Sequence, residues 1–147
     1  MTNHTITSEK EMIDFGKKFG NKLKPGDIVL LHGDLGAGKT TLAKGIAEYF
    51  GVDANDVVSP TFTLMQVYDI NDQRSTINEL VHVDTYRLED EEQLVDIGVE
   101  DYLGASDAIC LIEWPEKLGS ILKDKKTIDI SIEHISDNKR KITTSAF

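Results

Sequence analysis

An α/β fold with a mixed sheet is predicted by three features of this 147-residue chain. The octet Gly33-Asp34-Leu35-Gly36-Ala37-Gly38-Lys39-Thr40 fits G-x-x-x-x-G-K-S/T in full. It follows the apolar run Ile28-Val29-Leu30-Leu31 and precedes apolar residues at helical spacing, Leu42, Ile46, Ala47 and Phe50. A strand, a glycine-rich loop and a helix in that order aim backbone amides and a helix N-terminus at one anion. The run Ala108-Ile109-Cys110-Leu111-Ile112 reads as a second buried strand. β-Branched and aromatic residues on both sides of Asp69-Ile70-Asn71-Asp72-Gln73 read as an antiparallel hairpin, which makes the sheet mixed.

In chain order, Ser8 with Glu11 forms a capping box, and Met12, Phe15, Phe19 and Leu23 mark one face of a helix that stops before Pro25-Gly26-Asp27. The buried strand, the phosphate loop and its helix follow, with Gly51 placed for a left-handed C-cap. Residues 57–68 and about 76–84 are the hairpin strands, the first opened by Ser59-Pro60-Thr61. Glu89-Asp90-Glu91-Glu92, Asp96, Glu100 and Asp101 lie beside Leu94, Ile97 and Leu103, the pattern of an acidic amphipathic helix. That face is either solvated or a docking surface for another protein. After the strand at 108–112, Pro115 suits a helix's first turn. Ile128, Ile130 and Ile132 alternate with Asp129, Ser131 and Glu133 as in a half-exposed antiparallel strand, and a turn at Ser136-Asp137-Asn138 returns the chain through Arg140 and Ile142.

Composition bounds the function. With 39% hydrophobic residues and no stretch long enough to cross a bilayer, residues 1–147 are expected to form one soluble domain. Met1-Thr2-Asn3-His4 lacks the basic and apolar regions of a signal peptide, and the one cysteine, Cys110, lies inside an apolar run. These point to a reduced, cytoplasmic protein with a core thiol. The four histidines show no metal-ligand spacing. A formal charge of −10 argues against direct binding to nucleic acid, which rests on Lys and Arg displacing counterions from phosphates.

The loop carries the chemistry. The backbone from Gly33 to Thr41 can wrap phosphate oxygens, Lys39 can reach the β and γ phosphates, and the Thr40 hydroxyl can ligate Mg²⁺. Glycines at 33, 36 and 38 are not spaced as a dinucleotide fingerprint. No N-K-x-D motif follows, so the nucleotide is expected to be ATP. A small-molecule kinase would need lid arginines, and Arg74, Arg87 and Arg140 are dispersed. Glu113 ends an apolar strand where a Walker B acid emerges. Asp84 ends the run Leu80-Val81-His82-Val83 and is either a site carboxylate or a cap of the following acidic helix. Thr61 is either a switch residue or part of a strand-opening turn, and Trp114 either stacks on a base or a partner or packs beside the core strand.

GDLGAGKTT from Gly33, SPTFT from Ser59, HVDTYRL from His82 and CLIEWPE from Cys110, in that order, resemble the TsaE family, the small bacterial ATPases of tRNA threonylcarbamoyladenosine biosynthesis. The resemblance spans nearly the whole chain and implies a three-layer α/β/α P-loop fold. It further implies Mg²⁺-dependent ATP hydrolysis with the proteins TsaD and TsaB, supporting threonylcarbamoyl modification of adenosine 37 in tRNAs that read ANN codons. By the same resemblance Thr40 and Glu113 are the Mg²⁺ ligands, Asp84 positions water, and Glu9 and Arg140 contact the nucleotide. tRNA would be reached through the complex. A nucleotide-gated binding module with little intrinsic catalysis is the alternative.

Overall fold

The computed structural model describes residues 2–70 and 76–145. Near the N-terminus, Ser8 Oγ accepts from Glu11 N at 3.0 Å and starts helix α1 (Glu9–Lys22). The Glu11 carboxylate reaches one residue further back than a capping box requires, to Thr7 N at 2.7 Å and Thr7 Oγ1 at 2.8 Å. Met12, Phe19 and Leu23 are buried on the expected face, and the helix ends before Pro25. The loop-following helix α2 (Lys39–Tyr49) buries Leu42, Ile46 and Ala47 against α1, and Gly51 has the left-handed φ of +83° that its C-cap position requires.

Seven strands form one sheet among the described residues: β1 (Thr2–Ile6), β2 (Ile28–His32), β3 (Met65–Asp69), β4 (Glu79–Asp84), β5 (Ala108–Glu113), β6 (Ile128–Ser136) and β7 (Lys139–Thr144). Their order is β1-β7-β6-β2-β5-β4-β3. β6, β2, β5 and β4 run parallel, and β3, β7 and β1 pair antiparallel at the two sides. The sheet is therefore mixed. One face, with Val29, Leu31, Leu80, Ile109, Leu111, Ile130 and Ile142, is covered by α1 and α2. The other, with Leu30, Val81, Val83, Cys110 and Ile112, is covered by Leu88, Leu94, Val99, Leu103 and Leu118. Those five come from a short helix, α3 (Glu92–Asp96), and from loops and 3-10 turns, so the third layer is thin.

Four expectations are corrected. The hairpin forms, with Asp69 opposite Glu79, but its first strand starts at Met65. Ser59-Pro60-Thr61 therefore lies in an irregular segment and does not open a strand; its polar side chains are bonded elsewhere, as described below. Asn71, Asp72, Gln73 and Arg74 lie outside the described residues. The acidic helix is only the five residues of α3, because Gly98, at φ +88°, turns the chain into a separate 3-10 turn, Val99–Asp101. Glu91 is not free there, since its carboxylate accepts from Ser120 N (2.9 Å) and Ile121 N (3.3 Å). Pro115 opens a 3-10 turn, Pro115–Lys117, in place of an α-helix. Finally, β6 is antiparallel only to β7, and its other side pairs parallel with β2. β1 was not legible at all: of its five residues only Ile6 is buried, so no apolar alternation marks it.

α1 and α2 approach so closely that Gly16 and Gly45 face each other. A Cβ on Gly16 would lie 2.6 Å from Leu42 O, and one on Gly45 would collide with Ile13 O. Gly45→Ala should destabilise the fold by about 1–3 kcal/mol through overpacking, whereas Gly119→Ala, where a Cβ meets nothing within 4 Å, should leave the thermal midpoint unchanged. Cys110 is fully buried, and burial pushes its thiol up to about 12. A thiol reagent at pH 8 should label the native chain far more slowly than the urea-unfolded one, and equal rates would contradict the core placement.

Candidate functional site

β2 carries the chain into the phosphate loop, where Gly36 (φ +79°) and Gly38 (φ +114°) hold left-handed conformations that L side chains rarely adopt. Gly38 is the N-cap of α2, and no side chain caps that first turn. Its amides are the kind of donors an anion uses. Lys39, 5% exposed, curls over the loop: its ammonium donates to Gly33 O and, at 3.1 Å, to Asp34 O, and lies 3.8 Å from the centre of the Trp114 ring. Burial pulls the Lys39 pKa down, and the carboxylates of Glu113, Asp84, Glu116 and Asp34 oppose that pull.

The parallel register brings the two strand-end carboxylates to the same edge. Leu31 of β2 and Asp84 of β4 both pair with Glu113 of β5, so the loop, Glu113 and Asp84 emerge side by side. Thr40 Oγ1 donates to Glu113, 3.2 Å from Oε1 and 3.1 Å from Oε2. Asp84 is 2% exposed; its Oδ2 accepts from Ser59 Oγ (2.6 Å) and Thr61 Oγ1 (3.1 Å), and its Oδ1 from Tyr86 N (2.9 Å). Asp84 thus closes a turn at Tyr86 and does not cap the acidic helix, which begins only at Glu92. Trp114 takes a left-handed backbone (φ 60°), unusual for so bulky a residue. Thr85 Oγ1 donates to its carbonyl, and its ring packs on Tyr86 at 5.0 Å as well as under Lys39.

Two cavities flank the loop and share Gly36, Ala37, Gly38 and Thr41. One, of about 340 Å³, is lined by Glu9, Met12 and Arg140; the other, of about 400 Å³, by Lys39, Thr40, Thr61, Asp84, Glu113 and Trp114. Glu9 and Arg140 are therefore on the side away from the carboxylates. Arg140 reaches from β7 to the loop, Nε donating to Ala37 O at 3.1 Å, while its Nη1 donates to Ser136 O at 2.7 Å. His82 escaped the sequence reading. It is 1% exposed, and its Nε2 donates to Glu113 Oε2 at 2.6 Å. The available signal was the alternation in His82-Val83-Asp84, which sets both polar side chains on one face of β4.

The donor set suits a hard divalent cation held jointly with phosphates. One hydroxyl and one carboxylate, Thr40 and Glu113, match the habit of Mg²⁺, which takes one or two protein oxygens and fills the rest with water and phosphate. Among the described residues there is no group of three or more His, Cys, Asp and Glu that could hold a metal alone.

The family model for the threonylcarbamoyl adenosine biosynthesis protein TsaE matches residues 6–142. The chain belongs to the TsaE family. It is similar to the tRNA threonylcarbamoyladenosine biosynthesis protein TsaE of Rickettsia typhi, 38% identical over 137 residues, covering 93% of this chain and 90% of that one. With the TsaE of Bacillus subtilis it shares 42% over 123 residues, 84% of this chain and 72% of the other. The crystal structure of Bacillus subtilis YdiB superposes with a TM-score of 0.77 at 31% identity, covering 99% of this chain and 86% of that one. The α/β P-loop architecture and the place in tRNA threonylcarbamoyladenosine biosynthesis thus follow from TsaE membership. Among the described residues, no helix of this TsaE-family chain is long and apolar enough to cross a membrane.

Asp84→Ala should lower stability by about 1–3 kcal/mol, because it removes the buried carboxylate that accepts from the half-buried hydroxyls of Ser59 and Thr61 and from Tyr86 N. Thermal unfolding of the variant checks this, and an unchanged midpoint would mean that the hydroxyls find other partners.

Proposed function

We propose that this chain binds and hydrolyses ATP with Mg²⁺ and, together with TsaD and TsaB, supports threonylcarbamoyl modification of adenosine 37 in tRNAs reading ANN codons. The observation that carries the proposal is the contact of Thr40 Oγ1 with both oxygens of Glu113 beside Lys39, with Asp84 in register on the next strand. A loop that merely turned a strand into a helix would have no need of two buried carboxylates at its mouth. Family membership supports the tRNA pathway, and cytoplasmic location accords with it.

In this reading the amides of residues 33–41 cradle the phosphates and the Lys39 ammonium leaves the carbonyls of Gly33 and Asp34 to meet β and γ oxygens. Thr40 and Glu113 hold the cation, and Glu9 and Arg140 border the nucleoside end. Bound Mg²⁺ would neutralise charge on the phosphate oxygens and fix their geometry. Asp84 orients the attacking water and accepts its hydrogen bond. With a net charge of −10 the chain would meet tRNA through its partners.

Among the described residues a kinase reading finds no lid arginine: Arg87 stacks on Phe62 (4.6 Å) and Arg140 is spent on backbone carbonyls. One observation favours the nucleotide-gated alternative. Asp84 Oδ2 is engaged by Ser59 and Thr61, so the carboxylate is tied to an irregular segment that also exposes Val58 and Phe62. A segment that must shift before Asp84 can receive water would make turnover slow until partners arrive.

The deciding experiment measures ATPase activity of the purified chain with and without TsaB and TsaD. Stimulation by the pair supports gating within an ATPase, and absence of turnover in every mixture sinks the proposal. Lys39→Ala should cost about 100-fold or more in turnover while the variant still folds cooperatively. Thr40→Ala should raise the Mg²⁺ requirement about 10-fold. Wild-type turnover in Lys39→Ala, or an unchanged Mg²⁺ titration in Thr40→Ala, would contradict the assigned roles.

A further inference from the structure

We infer that His82 is a positioning residue that fixes the rotation of the Glu113 carboxylate, and that its worth to the chain lies in that bond. The inference rests on the cation-binding reading of Thr40 and Glu113 given above. A glutamate's terminal torsion is broad and nearly two-fold, so a strand-end carboxylate needs a partner to hold it in one orientation. Thr40 does not select one, since its hydroxyl lies 3.2 and 3.1 Å from the two oxygens. His82 does: its Nε2–H reaches Oε2, at 2.6 Å, in a short charge-assisted bond. The bond marks Oε2 of the pair and leaves Oε1 without a contact to the histidine.

Burial makes the case sharper. His82 and Glu113 are 1% and 3% exposed, and His82 Nδ1 has no hydrogen-bond partner among the described residues. An aliphatic side chain of similar volume would fill this place in β4 without leaving a buried nitrogen unpaired. The histidine is thus poorly explained by packing and well explained by the one bond it makes. The strand beneath it is held on both sides, His82 pairing with Gln66 of β3 and Leu111 of β5, so the imidazole has a rigid base. Ligating carboxylates are commonly oriented by such an outer hydrogen bond.

Three variants test this. His82→Gln places an amide donor near the position of Nε2, His82→Asn is one methylene too short to reach Glu113, and His82→Leu keeps volume without a donor. Mn²⁺ affinity of the ADP-bound protein is read by electron paramagnetic resonance, and ADP affinity in EDTA is read separately on the same folded preparations. The Asn and Leu variants should lose about 10- to 100-fold in Mn²⁺ affinity while ADP affinity in EDTA stays unchanged, and the Gln variant should stay near wild type. If the Leu variant does not fold, the contrast between Gln and Asn decides. Wild-type Mn²⁺ affinity in Asn, equal losses in Gln and Asn, or a matching loss of ADP affinity in EDTA would each overturn the inference while leaving the site reading intact. A wild-type chain that holds no Mn²⁺ with ADP would overturn the site reading, and the inference with it.

Discussion

Parallel pairing of β2, β5 and β4 is the constraint on which the rest of this molecule depends. In a parallel sheet all carboxyl ends emerge at one edge, so the register Leu31–Glu113–Asp84 delivers the phosphate loop and two acidic side chains to one place without any loop having to reach for another. The same register explains the core. Residues 80, 109 and 111 face the two long helices, while 81, 110 and 112 face the thin opposite layer. His82, Asp84 and Glu113 share the helix-covered face with residues 80, 109 and 111. Those polar side chains continue the rows of apolar ones, and Thr40 in the first turn of α2 meets Glu113 there.

What the sequence made legible follows from where information is local. The phosphate loop and its flanking elements are short-range patterns, as is the Ser8 cap, and each formed where expected. Glu113 and Asp84 could be marked because they terminate apolar runs. Three features resisted. β1 is an edge strand whose stability comes from the open side of β7 and not from its own residues, Thr2, Asn3, His4 and Thr5, so no pattern announced it. The irregular segment from Val57 to Leu64 contains strand-forming residues, but its hydroxyls are drawn to Asp84, a bond made across 25 and 23 positions of sequence. The contact between His82 and Glu113 needs the register itself, because β4 and β5 bring together residues 31 apart.

The acidic stretch shows a different limit. Its composition was read correctly as charged beside apolar positions, yet Gly98 divides it, and one of its carboxylates is an internal strut. Although burial works against ionisation, the amides of Ile121 and Ser120 hold the Glu91 carboxyl below its ordinary value. Glu91 therefore belongs to the structure that joins the start of α3 to the turn at Ser120 and Ile121. Charge counted along a helix does not separate such a strut from a solvated face; the hydrogen-bond partners do.

Electrostatics favours a metal ion in the proposed chemistry. The Lys39 ammonium lies at the mouth of the loop, and the carboxylates of Glu113, Asp84, Glu116 and Asp34 all bear on it. Admitting a polyphosphate to a site already dominated by carboxylates would be repulsive, and the low-dielectric surroundings of buried groups would magnify that repulsion. Loop amides and the α2 terminus offset part of it, but they carry only partial charges. Thr40 and Glu113 would hold a divalent cation beside the phosphates, and its charge would offset that repulsion. The bond from His82 to Oε2 and the bonds from Ser59 and Thr61 to Asp84 then have complementary roles. In the function proposed above, one would fix the carboxylate that holds the cation, and the others would restrain the carboxylate that turns to water.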